Sequence, residues 1–189
     1  TYAYSEKYIL VLSHDEVVHL KCSMINKMPG LYEDKFANLK AGYSFMMGHP
    51  GKKLLFMGQE FGQFQEWSEA RELDWYLLSE EKHQELQNYV RALLNMYKEN
   101  PACYQADNNP EGFEWINAND GDRSIFSFVR HSADGKNNLL FVVNFTPVAR
   151  PDYCVGVPKK KQYRLILNSD AEEFGGSGKE QPEVYKAQE

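Results

Sequence analysis

Cysteine is scarce. Cys22, Cys103 and Cys154 are three in 189 residues, odd in number and far apart. They make neither a disulfide framework nor a metal-ligand spacing, so a reducing compartment is expected, with the cytoplasm as the default. Long apolar runs are missing too. None approaches the roughly 20 residues that cross a bilayer, so no membrane partner is expected. The opening residues, Thr1-Tyr2-Ala3-Tyr4-Ser5-Glu6-Lys7, lack the basic-then-apolar pattern of a secretory leader. Positive charge is thin: 21 Lys and Arg face 27 Asp and Glu, for a net charge of −6. The run Lys159-Lys160-Lys161 follows Pro158 and reads as a solvated turn. No dense basic stripe stands out, so no nucleic-acid partner is expected. No internal repeat is visible.

What is present describes a globular protein. Hydrophobic residues make up 42% and charged residues 25%, which excludes a disordered or collagen-like chain. Aromatics reach 14%, which suits a large core and also suits sugar-stacking surfaces.

The two halves differ in pattern. In the first, residues 8–12 form a short apolar run that predicts a strand. Residues 33–47 carry Phe36, Leu39, Tyr43 and Met47 at spacings of three, four and four, and predict a helix stopped by His49-Pro50-Gly51. Residues 53–58 predict a second strand. Residues 80–100 predict a second helix, with Leu86, Val90, Leu93, Leu94 and Tyr97 on one face and Pro101 as its stop. This β-α-β-α order implies parallel strands covered by helices. After Pro110 the spacing shortens. Residues 113–116, 124–130, 139–145, 153–157 and 163–167 read as strands separated by turn clusters, which predicts an antiparallel sandwich or barrel. Gly175-Gly176-Ser177-Gly178 reads as a flexible tail.

The chemistry concentrates where the two early strands end. The first runs into Ser13-His14-Asp15-Glu16 and the second into Gly58-Gln59-Glu60-Phe61-Gly62-Gln63. In a parallel α/β barrel both would open on one face, because active sites sit at the C-terminal strand ends. Asp15, Glu16 and Glu60 could then share a cleft, with His14 and Gln59 as hydrogen-bond partners for a polyhydroxylated ligand. Two carboxylates on one cleft suit glycoside chemistry. Plainer readings stand beside this one: the first segment is a loop whose polar residues only cap the next helix, Glu60 caps or supports, Gly58 and Gly62 serve tight turns, and His19 is structural or solvated. Trp67 and Trp75 serve the core as readily as a sugar face. No metal and no cofactor is expected.

A set of motifs carries a family resemblance. They are Leu12-Ser13-His14-Asp15-Glu16-Val17-Val18-His19, Asn26-Lys27-Met28-Pro29-Gly30, residues 52–63, Arg71-Glu72-Leu73-Asp74-Trp75, Asn144-Phe145-Thr146-Pro147-Val148, and Asn168-Ser169-Asp170 with Gly175-Gly176-Ser177-Gly178. Together they resemble the C-terminal part of bacterial 1,4-alpha-glucan (glycogen) branching enzymes, of the alpha-amylase superfamily, across essentially the whole chain. The His-Asp pair marks only the superfamily. Its combination with Pro50-Gly51-Lys52-Lys53-Leu54-Leu55-Phe56-Met57-Gly58-Gln59-Glu60 and the late Gly-Gly-Ser-Gly is specific to branching enzymes.

The resemblance implies a fold and a reaction. Residues 1–108 would be the last two β/α units of a TIM barrel, and residues 109–189 a C-terminal β-sandwich. That second domain is expected to be truncated, since no final apolar hairpin precedes Glu189. Asp15 would stabilise the transition state and His14 would bind the sugar at the cleaved linkage. Glu16, Gln59 and Glu60 would support them. The reaction would cleave an alpha-1,4 link and transfer the chain to a 6-hydroxyl in glycogen biosynthesis, with glycogen or amylose as partner.

The chain also departs from the family pattern. The Gly-x-Arg-x-Asp nucleophile motif and the general acid are not found, and Arg71-Glu72-Leu73-Asp74 has the wrong spacing to replace them. Leu20 stands where the family usually has Gly after the second His, which puts the turn after His19 in question. A fragment of a larger enzyme is therefore expected. It would be inactive alone, would pair with the upstream part of its own barrel, and by itself would self-associate through exposed strand edges. The competing reading is a non-catalytic glucan-binding or assembly module. A related amylase or debranching enzyme would differ in donor and acceptor.

Overall fold

Helix α1 (Tyr32–Gly48) and helix α2 (Glu81–Glu99) build the core from facing apolar stripes. Phe36, Leu39, Tyr43 and Met47 of α1 are buried with Leu86, Tyr89, Val90 and Leu93 of α2 in one cluster. At the start of α1 the Asp34 carboxylate accepts the Leu31 backbone N–H at 2.9 Å, half of a capping box. At its end Pro50 disfavours helical backbone in the preceding residue, and His49 is extended at φ −69°, ψ 154°. Gly48 is required by packing, since a Cβ there would lie 2.7 Å from the Phe128 ring and 2.8 Å from Phe141. Leu94 departs from the expected face. One residue on from buried Leu93, it is turned about 100° around the helix and is exposed.

The computed structural model describes residues 4, 6–159 and 161–188. Strands β1 (Ile9–Leu12) and β2 (Lys52–Leu55) pair in parallel, with Ile9 opposite Lys52 and Leu12 opposite Leu55. They pack their inward residues Leu10, Leu12 and Leu55 on the helical core. Their other face is open, with Ile9 57%, Val11 40% and Leu54 37% exposed. That face is uncovered because β1 and β2 find no further strand among the described residues.

The second half holds two antiparallel sheets. Strands β3 (Phe113–Asp120), β4 (Ile125–His131) and β5 (Asn138–Asn144) form one in that order. Strands β6 (Gln162–Arg164) and β7 (Val184–Lys186) form the other. Three readings from sequence change here. Residues 117–120, expected as a turn, continue β3 through two register shifts. Residues 153–157, expected as a strand, are not in a ladder. Residues 163–167 shorten to the three of β6. Of the lysine run, Lys159 and Lys161 are exposed and Lys160 lies outside the described residues.

The glycine-rich segment is docked rather than loose. Gly176 N–H donates to Ala171 O at 3.0 Å and Gly178 N–H to Asp170 O at 3.2 Å. Ser177 N–H donates to Asp170 Oδ1 at 2.8 Å. From α1, buried Lys40 donates to Ser169 O at 2.8 Å and Phe174 O at 2.6 Å. Burial pulls the Lys40 pKa below the ordinary lysine value, while Asp170 and Glu85 oppose that shift. Composition alone suggests flexibility for such a stretch, but satisfied backbone groups and a buried cation hold it.

The two halves join through a buried ion pair. Arg130 of β4 is fully buried and donates to Asp107 Oδ1 at 2.6 Å, Gly48 O at 2.8 Å and Gly112 O at 3.1 Å. Lys52 reaches the other Asp107 oxygen at 3.3 Å from a largely exposed position. Beside this pair, the His49 ring lies 4.3 Å from Phe45, 5.1 Å from Phe113 and Phe128, and 5.5 Å from Trp115. Burial, then the charges of Lys53 and Arg130, push the His49 pKa down from 6.5 to about 4.

Two stability predictions follow from this junction. Asp107→Ala strands a buried guanidinium and should cost about 3–5 kcal/mol, whereas Lys52→Ala should cost about 1 kcal/mol or less, both by urea denaturation. A drop below 1 kcal/mol for Asp107→Ala would contradict the role given to the pair. His49 stays neutral in the fold while the unfolded chain binds a proton near pH 6.5. Its contribution is therefore complete above that pH and is lost as pH falls toward about 4. His49→Phe should flatten the decline over this window by about 2 kcal/mol, read as the difference between the two proteins' stability-against-pH curves.

Candidate active-site end of the parallel strands

Parallel pairing brings the ends of β1 and β2 together. Phe56 N–H donates to Leu12 O at 3.1 Å just beyond the ladder. Past β1 the chain makes a short 3-10 turn, His14–Glu16. Ser13 caps it: its Oγ accepts the Asp15 N–H at 3.2 Å and donates to Glu16 Oε2 at 3.0 Å. The spacing Ser13-x-x-Glu16 is the capping pattern, so this local geometry was readable from residue types. Lys21 Nζ donates to the Asp15 carbonyl at 2.8 Å and steadies the turn from beyond it.

The caps sort the candidate residues. Glu16 is committed to Ser13. Glu60 Oε2 accepts the Gly58 N–H at 2.8 Å, so it caps the turn after β2. Gln59 is buried, and its backbone carbonyl accepts the Tyr43 hydroxyl at 2.9 Å. His14 and Asp15 are left open to solvent. His14 Nε2 lies 3.2 Å from Asp15 Oδ1, and the two side chains are 55% and 69% exposed. No hydrogen bond or ion pair among the described residues links Asp15 to Glu60. The arrangement therefore offers one open imidazole–carboxylate pair, backed by two carboxylates that hold loops.

Aromatic packing fixes where that pair sits. The His14 ring lies 5.9 Å from Phe56, and Phe56 lies 5.2 Å from Trp67 in an edge-on contact. Trp67 N–H donates to Val17 O at 3.0 Å, closing the circuit back to the first loop. Trp67 is thus a packing residue. Trp75 packs on Phe61 at 5.2 Å while half exposed. The sequence gives no role to Lys21 or Phe56, whereas Ser13 lies in the segment expected to cap and its spacing from Glu16 carries that signal.

The turn that follows is built on left-handed backbone. His19, Leu20 and Cys22 have φ of 56°, 66° and 64°. Leu20 is 95% exposed, so its side chain gains nothing from packing there. A left-handed residue with a Cβ costs roughly 1–2 kcal/mol, partly offset by the extra unfolded-state freedom of glycine. Leu20→Gly should therefore stabilise the chain by about 0.5–1 kcal/mol in urea denaturation. Destabilisation would show that the loop does not adopt this backbone.

Among the described residues no group of three His, Cys, Asp or Glu side chains is placed to hold a metal ion. No described helix is long and apolar enough to cross a membrane.

The comparisons with known proteins agree with one another. Residues 115–189 match the alpha amylase C-terminal all-beta domain. The chain is 56% identical over 187 residues, 99% of its length, to a 1,4-alpha-glucan branching enzyme of Butyrivibrio fibrisolvens. Relatives of the same name from Halothermothrix orenii and Aquifex aeolicus are 50% and 53% identical over 100% and 94% of this chain. The chain spans 28–30% of the length of these three relatives. Identity of this level is sustained from end to end, so the chain is similar over its whole length to one part of 1,4-alpha-glucan branching enzymes.

Proposed function

We propose that this chain supplies part of the active-site end of a (β/α)8 barrel, in residues 1–108, followed by a C-terminal β-sandwich in residues 109–189. The reaction is formation of alpha-1,6 branches in an alpha-glucan such as glycogen or amylose. The observation that carries this reading is the His14–Asp15 pair, open to solvent at the C-terminal end of a strand in parallel pairing. Asp15 acts as a fixed negative charge beside the sugar ring as positive charge develops at its anomeric carbon. His14 donates a hydrogen bond to a hydroxyl of the same sugar. Glu16, Glu60 and Gln59 hold the loops that carry the pair.

In a retaining mechanism a carboxylate attacks the anomeric carbon while an acid protonates the departing 4-oxygen. A glucan 6-hydroxyl then attacks the glycosyl intermediate, gives up its proton to the same acid residue, and frees the carboxylate. Those two groups are assigned to the remainder of the barrel, which would also cover Ile9, Val11 and Leu54.

A chimera tests this. The matching span of the Butyrivibrio fibrisolvens enzyme is replaced by this chain, and branching is followed by loss of iodine colour with amylose. The chimera should be active and the isolated chain should not. Asp15→Asn should lower kcat by roughly a hundred- to thousandfold, while Glu60→Gln should stay within about tenfold. A chimera whose Asp15→Asn variant keeps half its activity would refute the role of Asp15.

The open strand face makes a second expectation measurable. Exposed apolar faces and unpaired strand edges drive association. The isolated chain should pair through Ile9, Val11 and Leu54, with a dimer mass in light scattering at micromolar concentration. Val11→Lys should return it to monomer. A monomeric wild-type chain would count against pairing.

A further inference from the structure

A small cleft lies between the loops that follow β1 and β2, next to the His14–Asp15 turn. Ser23, Met57, Gly58, Gln59, Gln63 and Trp67 line it, together with Val17. Two of its polar groups are unusual. Ser23 and Gln59 are 3% and 4% exposed, and Ser23 Oγ and Gln59 Nε2 have no hydrogen-bond partner among the described residues. The other buried amide on the cleft is fully used. Gln63 Oε1 accepts the Asp74 N–H at 3.0 Å, and its Nε2 donates to Gln65 O at 3.1 Å.

The orientation of the Gln59 amide is set by its surroundings. Its Oε1 faces the Phe56 N–H at 3.3 Å. A flipped amide would point donor at donor, so the NH2 group is the end left unpaired. Buried polar groups in folded proteins are almost always satisfied, and a pair left over on one cleft points to a shared partner. An amide N–H needs an acceptor. A serine hydroxyl either donates or accepts. A single hydroxyl group satisfies both: its oxygen accepts from Gln59 and exchanges a hydrogen bond with Ser23. The cleft is narrow, which suits a group of that size and excludes a sugar ring.

We infer that Ser23 and Gln59 form a recognition point for one hydroxyl group, supplied by an ordered water or by a hydroxyl of bound glucan. The glucan source rests on the function proposed above, and the water source does not. Such a bridge ties Ser23, in the loop after β1, to Gln59, in the loop after β2. It therefore braces the turn that presents His14 and Asp15.

The test is NMR of the 189-residue chain, following the Gln59 side-chain NH2 resonances. Without sugar, they should show a nuclear Overhauser effect to a long-lived water. Ser23→Ala should abolish that effect while the backbone amide spectrum and melting temperature stay near wild type. Maltoheptaose is then added. Persistence of the water signal assigns the occupant as water, and its replacement by a contact to sugar protons assigns it as a glucan hydroxyl. If maltoheptaose binds nowhere on the chain, the glucan source fails and the water signal alone still carries the site. Neither a water signal nor a maltoheptaose-induced shift at Gln59 would overturn the inference. So would a water signal that Ser23→Ala leaves unchanged.

Discussion

The structure depends most on one buried guanidinium. Arg130, near the end of β4, sits where the end of α1 and the segment before β3 meet, and it bonds to both. A charge there is tolerable only because its donors find two carbonyls and a carboxylate. Its presence has consequences nearby. Gly48 must lack a side chain so that the Phe128 and Phe141 rings can close over the same junction. His49 is held in aromatic surroundings where it remains neutral. The antiparallel sheet is thereby locked to the helix that also carries the parallel strands.

From that junction the order reaches the candidate site through packing. Helix α1 holds the turn after β2 through the Tyr43 hydroxyl on the Gln59 carbonyl. That turn aims Phe56 at the His14 ring, and Trp67 returns to Val17. Asp15 is thus placed by a circuit of backbone hydrogen bonds and ring contacts. Lys40 does the same for the far end of the chain, fastening residues 168–178 to the helices.

Local patterns were read well where the signal was local. Both helices fall within a residue of the predicted spans, since a repeated apolar stripe and a following Pro mark a helix in any context. The second and third antiparallel strands were legible as short runs between turn clusters, and the first only over residues 113–116. The failures lie where neighbours decide. Residues 153–157 have a strand's composition and no partner. Gly175-Gly176-Ser177-Gly178 has a linker's composition, and a lysine far away in sequence pins it. Leu94 looks apolar enough for the core and lies on the wrong side of the helix.

The sequence by itself carried the resemblance to branching enzymes, the helices and a His-Asp pair at a strand end, because these rest on residue type and short spacing. It also marked position 20, where Leu20 occupies left-handed backbone that glycine would adopt without strain. Only the tertiary structure decided which group each acidic residue binds. Asp15, Glu16 and Glu60 all carry a carboxylate, yet Glu16 binds a serine hydroxyl, Glu60 binds a backbone amide, and Asp15 is left open. The cleft with two unpaired groups was equally invisible, because Ser23 and Gln59 are 36 positions apart and are brought together only when β1 and β2 pair. The physical reason is common to both. A side chain's role depends on which hydrogen-bonding groups surround it, and those come from segments that sequence order does not place side by side.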